Sequence, residues 1–508
     1  MGLRLLLPPH NLRRQPWALL LLLVGSLVMC STASAGAGIE HVQKTMDMDV
    51  VLRLSGRPAN MTLTAFRNFT YQQTLDHFNY LPSSYTTFPQ RYSIDFTHWG
   101  GAGTGSPILL YTGAESALED ELAGVGYHVH AAPALRALVV YIEHRYYGLS
   151  VPFGSPAAAH KDADTLGYLS VSQALADYAE IIIHIQKMYN ARGPVIAVGC
   201  SYGGMLSAYF RLKYPHVAHG ALSSSGPVLY VNGNLSSRRE YYDIISSDFM
   251  SISVHCFQTI KSSWAEIDRI NRQLGVGELI RIFNPCKPFT DVNPLKNYLR
   301  LEYNRYAQYD DPASTPVRRF CRGVDGAPVG TPILERIKAG LDRIHGQRCH
   351  NIAAARVKAP GLSGWGWQTC TEIMLPVGPG GGPQSLFEPW PYDFQASRRW
   401  CMRKYHVEPR PQWMATAYNI TEALEQFGSN IIFANGLRDP YSDGGVLQDI
   451  SPSIVALTTQ EGSHCLDVAY PRPATDPQWL IDQRNEELRI IRGWITTFHS
   501  SFNPRDDQ

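Results

Sequence analysis

Five residues, Gly199-Cys200-Ser201-Tyr202-Gly203, stand between an apolar run at 194–198 and a helical pattern at 205–213. A strand that turns so abruptly into a helix needs small residues at the turn. It exposes the serine hydroxyl at the strand end and aims the first helical N–H groups at any charge developing there. Short apolar runs recur at 108–111, 137–142, 430–434 and 454–457, bounded by Gly or charged residues. Runs of this length alternating with helical patterns predict a buried, mainly parallel sheet covered on both faces. Ser170-Val171-Ser172-Gln173 reads as a capping box opening a helix that runs to about Met188. Asp476 and Pro477 predict the start of a final helix. Its residues Leu488, Ile491, Ile495 and Phe498 share one face.

The N-terminus sets the compartment. Arg4, Arg13 and Arg14 precede an apolar stretch at 17–29, and Ala33-Ser34-Ala35 forms an A-x-A site. This predicts a cleaved secretory signal over 1–35. No second stretch of spanning length follows, so no stable membrane insertion is expected. Sequons at Asn60, Asn68, Asn234 and Asn419 predict glycans. Cys30 leaves with the signal, and eight cysteines remain for four disulfides in an oxidising compartment. Lys and Arg total 45 against 44 Asp and Glu, which gives no indication of nucleic-acid binding.

The α/β pattern is interrupted. Residues 240–350 carry helical patterns at 260–274 and 334–344, six cysteines fall between Cys256 and Cys401, and 377–383 is a Gly/Pro-rich loop. The expected organisation is a sheet domain at 36–226 and 413–508, with 36–60 an irregular leader. A mainly helical, disulfide-stapled insertion at 227–412 lies between the two parts. Two further motifs lie just after strands: Asn435-Gly436-Leu437-Arg438-Asp439-Pro440 and Glu461-Gly462-Ser463-His464. Serine is a poor nucleophile without a base and an orienting acid. The chain order Ser201, Asp439, His464 is that of an α/β-hydrolase triad of nucleophile, acid and base. Three readings share this pattern: a serine exopeptidase, an esterase or acyltransferase, and a catalytically silent binding protein.

Several segments resemble the family of lysosomal Pro-Xaa carboxypeptidase and dipeptidyl peptidase II. They are Thr74-Leu75-Asp76-His77-Phe78-Asn79, Glu143-His144-Arg145-Tyr146-Tyr147-Gly148, Gln173-Ala174-Leu175-Ala176-Asp177, Ser201-Tyr202-Gly203-Gly204-Met205, Lys213-Tyr214-Pro215-His216 and the two motifs holding Asp439 and His464. The resemblance covers about residues 68–500 and is closer to the Pro-Xaa carboxypeptidase branch. It implies an α/β-hydrolase fold whose insertion caps the active site, short peptides as substrates, and cleavage next to proline. It also implies a lysosomal, vacuolar or extracellular location and no metal or organic cofactor, and it leaves a homodimer open. It assigns oxyanion donors to the backbone of Tyr202 and to Gly113 or Ala114. It places Met205 and Tyr441 at an apolar proline pocket. It suggests the pairs Cys256–Cys321, Cys286–Cys349 and Cys370–Cys401.

The chain departs from the family pattern at Cys200, Cys465 and Tyr441, at Gly113-Ala114-Glu115-Ser116 and at Leu466-Asp467-Val468-Ala469. The triad is kept, and the changes fall on positions that read substrate. Cys200 directly precedes Ser201 and Cys465 directly follows His464. Neighbours of a hydrogen-bonded Ser–His pair come within disulfide range. A Cys200–Cys465 bridge is therefore expected, as in the Cys-Ser and His-Cys dipeptides of tannase-like and feruloyl esterases, which this local arrangement resembles.

Overall fold

The computed structural model describes residues 65–352 and 362–502. The signal segment, the leader and Asn60 lie outside the described residues. Eight strands form one sheet in the order β1-β2-β4-β3-β5-β6-β7-β8. They are β1 Phe66–Thr74, β2 Thr87–Asp95, β3 Ile108–Thr112, β4 Leu138–Ile142, β5 Val195–Cys200, β6 Ala218–Ser224, β7 Ile431–Gly436 and β8 Ile454–Thr459. The β1–β2 and β2–β4 pairs are antiparallel, and every pair from β4 to β8 is parallel. Strands β3, β4, β5 and β7 are buried along their whole length. Their unbroken apolar runs follow from helices covering both faces. This is the α/β-hydrolase sheet.

Two helices flank the turn at Ser201: α1 Val171–Tyr189 and α2 Tyr202–Lys213. Ser170 caps α1 by accepting from the Gln173 N–H. The Gln173 side chain does not return to the cap. It bonds Asp76 and the His77 N–H instead, which ties the 76–79 loop to α1. The resembling segments at 74–79, 143–148 and 173–177 converge on one buried knot. There Arg145 meets Asp177 through two charge-assisted bonds of 2.7 and 2.5 Å and also donates to the Leu75 and Tyr168 carbonyls. Both ion-pair partners are fully buried, so removing either would strand a charge.

Between β6 and β7 the described residues are mainly helical. Its longer helices are α3 Glu240–Ile252, α4 Val254–Leu274, α5 Val276–Phe283, α6 Asn293–Gln308, α7 Pro316–Asp325, α8 Ile333–His345, α9 Leu362–Thr371 and α10 Phe394–Tyr405. Disulfides join Cys256 to Cys321, Cys286 to Cys349 and Cys370 to Cys401. The apolar faces of α3 to α8 pack into the main core cluster. The last helix, α11 Gln478–Phe502, lays Leu488 and Ile491 against the opposite face of the sheet, under Val198, Leu222 and Ile432. Asp476 turns its carboxylate to Arg472 and Arg484. Asn68, Asn234 and Asn419 are exposed. Among the described residues no helix is long and apolar enough to cross a membrane.

Candidate active site

Ser201 stands at the end of β5 with φ 57° and ψ −122°, a conformation that a non-glycine residue adopts only under constraint. The constraint is close packing. A Cβ at Gly199 would lie 2.0 Å from the Gly203 carbonyl, so the turn closes only with glycine there. The Ser201 N–H is fixed by the Ser224 carbonyl at 2.9 Å. Tyr202 opens α2, so its N–H is one of the free donors at a helix start.

The Tyr202 ring is locked beneath the cap. His144 is pushed down to about 4, chiefly by burial, and is a neutral ring. Its Nδ1 lies 2.7 Å from the Arg145 carbonyl, which can only accept, so the proton sits on Nδ1. Nε2 therefore accepts from the Tyr202 hydroxyl at 3.1 Å. Gln368 of α9 donates to that hydroxyl and accepts from Tyr147, at 2.7 and 2.6 Å.

Asp439 and His464 come from the loops after β7 and β8. Gly436 and Gly462 let these loops touch: a Cβ on Gly436 would lie 2.1 Å from the Gly462 carbonyl. The fully buried Asp439 carboxylate accepts from His464 Nδ1 at 2.7 Å and from the Tyr441 N–H at 2.9 Å. His464 Nε2 is buried and has no hydrogen-bond partner among the described residues. The imidazole is thus held by one nitrogen, with the other left for a reacting proton.

Cys200 and Cys465 are joined, with Cα atoms 5.7 Å apart. The bridge links the residue before Ser201 to the residue after His464. Cys465 also has positive φ, 57°, and its N–H donates to Ser225 at 3.0 Å. Ser224 donates to Asp467 at 2.6 Å. The disulfide thus joins the elbow to the His464 loop, and two hydrogen bonds join the end of β6 to the same loop.

The cap reaches the same point. The carbonyl of Gln308, at the end of α6, accepts from the His464 N–H at 3.0 Å. The Tyr309 ring meets the imidazole edge-on at 6.0 Å, and the Tyr441 ring lies 5.3 Å from it. Arg438, beside Asp439, donates to Asp310 at 2.6 Å and lies 3.7 Å from Asp248 of α3. Burial still pushes Asp248 up to about 8, with Arg438 opposing. Sequence reasoning missed this cap contact, because residues 308–311 carry no motif.

Two expectations are modified. The Ala114 N–H is not free for an oxyanion: it donates to the Glu121 carboxylate at 2.9 Å. Met205 is buried in the core cluster in the first turn of α2, its N–H bonded to the Ser201 carbonyl. It backs the elbow. Cys200, Cys465 and His464 also bring potential metal-ligand atoms within 4.8 Å of one another. Both sulfurs are committed to the disulfide, so the cluster lacks the thiolates a metal would need.

A strained serine, a buried Asp–His pair and a cap that contacts the histidine meet here, and the family follows from the sequence match. Residues 73–487 match the family model of serine carboxypeptidase S28. The chain belongs to that family and is a serine-type peptidase. Lysosomal Pro-X carboxypeptidase of Mus musculus is 35% identical over 450 residues, covering 85% of this chain and 89% of the relative. Thymus-specific serine protease of Homo sapiens is 29% identical over 460 residues, covering 84% and 86%. Among solved structures, an esterase of Pyrobaculum calidifontis aligns with a TM-score of 0.36 at 11% identity, over 91% of this chain and 93% of its own.

Proposed function

We propose that this peptidase removes the C-terminal residue from short peptides by cutting after proline, with Ser201, His464 and Asp439 as its triad. The observation that carries the reading is the buried Asp439–His464 pair bridged covalently to the strained Ser201 turn. In the reaction the Ser201 hydroxyl attacks the prolyl carbonyl as its proton passes to His464 Nε2. Asp439 keeps Nδ1 protonated and stabilises the imidazolium. The Tyr202 N–H and that of Gly113 receive the oxyanion. Collapse of the tetrahedral intermediate breaks the C–N bond, and His464 returns the proton to the departing amine. Water, deprotonated by His464, then releases the prolyl acid from Ser201.

A proline ring offers apolar surface and no N–H, so an aromatic wall suits it. Tyr441, packed 4.9 Å from Tyr241 and against the His464 ring, supplies that wall. The relatives' names and the signal-like N-terminus support a lysosomal or extracellular destination. A peptide-library digest read by mass spectrometry tests the specificity. Loss of one residue after proline is expected. Release of N-terminal dipeptides, or cleavage without regard to proline, would overturn it.

A further inference from the structure

An exopeptidase that removes one residue must recognise the free end of its substrate. In the proposed reaction the leaving residue departs beside His464, because Nε2 protonates its nitrogen. Its α-carboxylate is separated from that nitrogen by a single carbon. The recognising group therefore lies close to the imidazole, on the side facing the cap.

Glu115 is a buried acid on the loop beside the elbow. It follows the β3 end, and the β3–β5 register, with Tyr111 beside Val198, carries the loop at 113–115 alongside Ser201. The loop is pinned by Glu121, whose carboxylate accepts from the Ala114 N–H and, at 2.6 Å, from the Ser116 hydroxyl. Glu115 itself is only 4% exposed, and its Oε2 has no hydrogen-bond partner. Glu115 lies within electrostatic reach of Tyr309 of the cap, the residue edge-on to His464, and of Tyr147 and Tyr111. Glu121, of its own sign, raises Glu115 further, and a backbone hydrogen bond at Glu115 opposes this. Arg305, at the end of α6, is engaged by Glu302 at 3.0 Å.

We propose that the Glu115 carboxyl reads the substrate's C-terminal carboxylate by donating its O–H to it. This deepens the carboxypeptidase reading and rests on it. A carboxylic acid facing a carboxylate forms a short, charge-assisted bond, whereas two carboxylates repel. Burial pushes Glu115 up to about 8, so the acid is neutral through the acidic and neutral range. A bound carboxylate would hold the proton more firmly still. A free α-ammonium would instead favour the ionised form.

The test compares an N-blocked Pro-Phe free acid with its C-terminal amide, as kcat/KM, from pH 5 to 9. The ratio of the two removes every pH dependence of the catalytic steps that both substrates share. In the native enzyme the acid-to-amide ratio should be flat at low pH. Above about pH 8 it should fall by about tenfold per pH unit, through KM, because one proton is lost from the recognising group. Glu115→Gln keeps a donor and cannot ionise, so its ratio should be independent of pH. A native ratio without pH dependence would overturn the proposal, as would an unchanged profile in Glu115→Gln. So would a Glu115 effect that follows N-acetylation of a free-amine peptide rather than C-terminal amidation. The native profile alone decides the matter should the variant not fold. If neither peptide is cut while a fluorophosphonate labels Ser201, the post-proline reading falls and this proposal with it.

Discussion

Ser201, Asp439 and His464 make different demands on their surroundings, and the consequences of substitution differ accordingly. Ser201 tolerates loss of its hydroxyl structurally, since its N–H, not its side chain, holds the elbow to β6. Ser201→Ala should therefore abolish hydrolysis while the thermal midpoint stays within a few degrees of the native value; retained turnover would reassign the nucleophile. Asp439 fixes the imidazole through Nδ1. Asn can present an N–H to that nitrogen and favour the wrong tautomer. Asp439→Asn should then lower kcat by about ten-thousand-fold, the size seen in another serine triad, with little change in KM. A drop of less than tenfold would show that His464 is oriented by the disulfide and by Gln308 instead.

The elements differ in how visibly the sequence announces them. Strands β3, β4, β5 and β7 are legible because full burial leaves continuous runs of Val, Ile and Leu. Strand β6 escapes notice because its residues, Ala-His-Gly-Ala-Leu-Ser-Ser, are small. The reason is three-dimensional: a Cβ on Gly220 would lie 2.4 Å from Trp494 of α11. The β1–β2 hairpin hides because β1, at the sheet edge, carries polar residues outward. The proposed triad was readable from three motifs in order. The Ala114–Glu121 bond was not, since a loop's hydrogen bonding depends on a helix seven residues away. The Cys200–Cys465 bridge was legible because each cysteine adjoins a catalytic position. It clamps the β5 turn to the loop after β8. Cys200→Ala with Cys465→Ala should leave the sheet folded, because Ser225 and Asp467 still tether that loop. Displacing His464 by even an ångström costs about a hundredfold in rate, so kcat should fall on that order before the unfolding midpoint moves much. Equal activity with and without the bridge would reduce it to a structural staple.

At the scale of the whole molecule, the buried ionisable groups bias the fold toward acid. Burial pushes Glu115 and Asp248 up to about 8, Glu372 to about 7 and Asp467 to about 6, and raises Glu487 well above its ordinary value. These acids are neutral in the folded protein and ionise at their ordinary pKa once it unfolds. As pH rises above about 4, the unfolded state therefore binds fewer protons than the native state, and stability falls until each folded pKa is passed. Buried histidines oppose this. His128, His144 and His219 are depressed to about 4, so they favour the native state more and more up to their ordinary pKa near 6.5. Below about 6.5 the two sets offset one another. Above it the histidines are neutral in both states, and only the acids act. Each acid still protonated in the fold then removes at most about 1.4 kcal/mol of stability per pH unit. The thermal midpoint should therefore drop between pH 6.5 and 8, and more steeply than between pH 5 and 6.5. Combining Glu115→Gln with Asp248→Asn should flatten the steeper limb, because neither amide can ionise. A midpoint that holds constant or climbs from pH 6.5 to 8 in the native protein would mean that these carboxyls ionise without cost, and that the fold carries no preference for an acidic compartment.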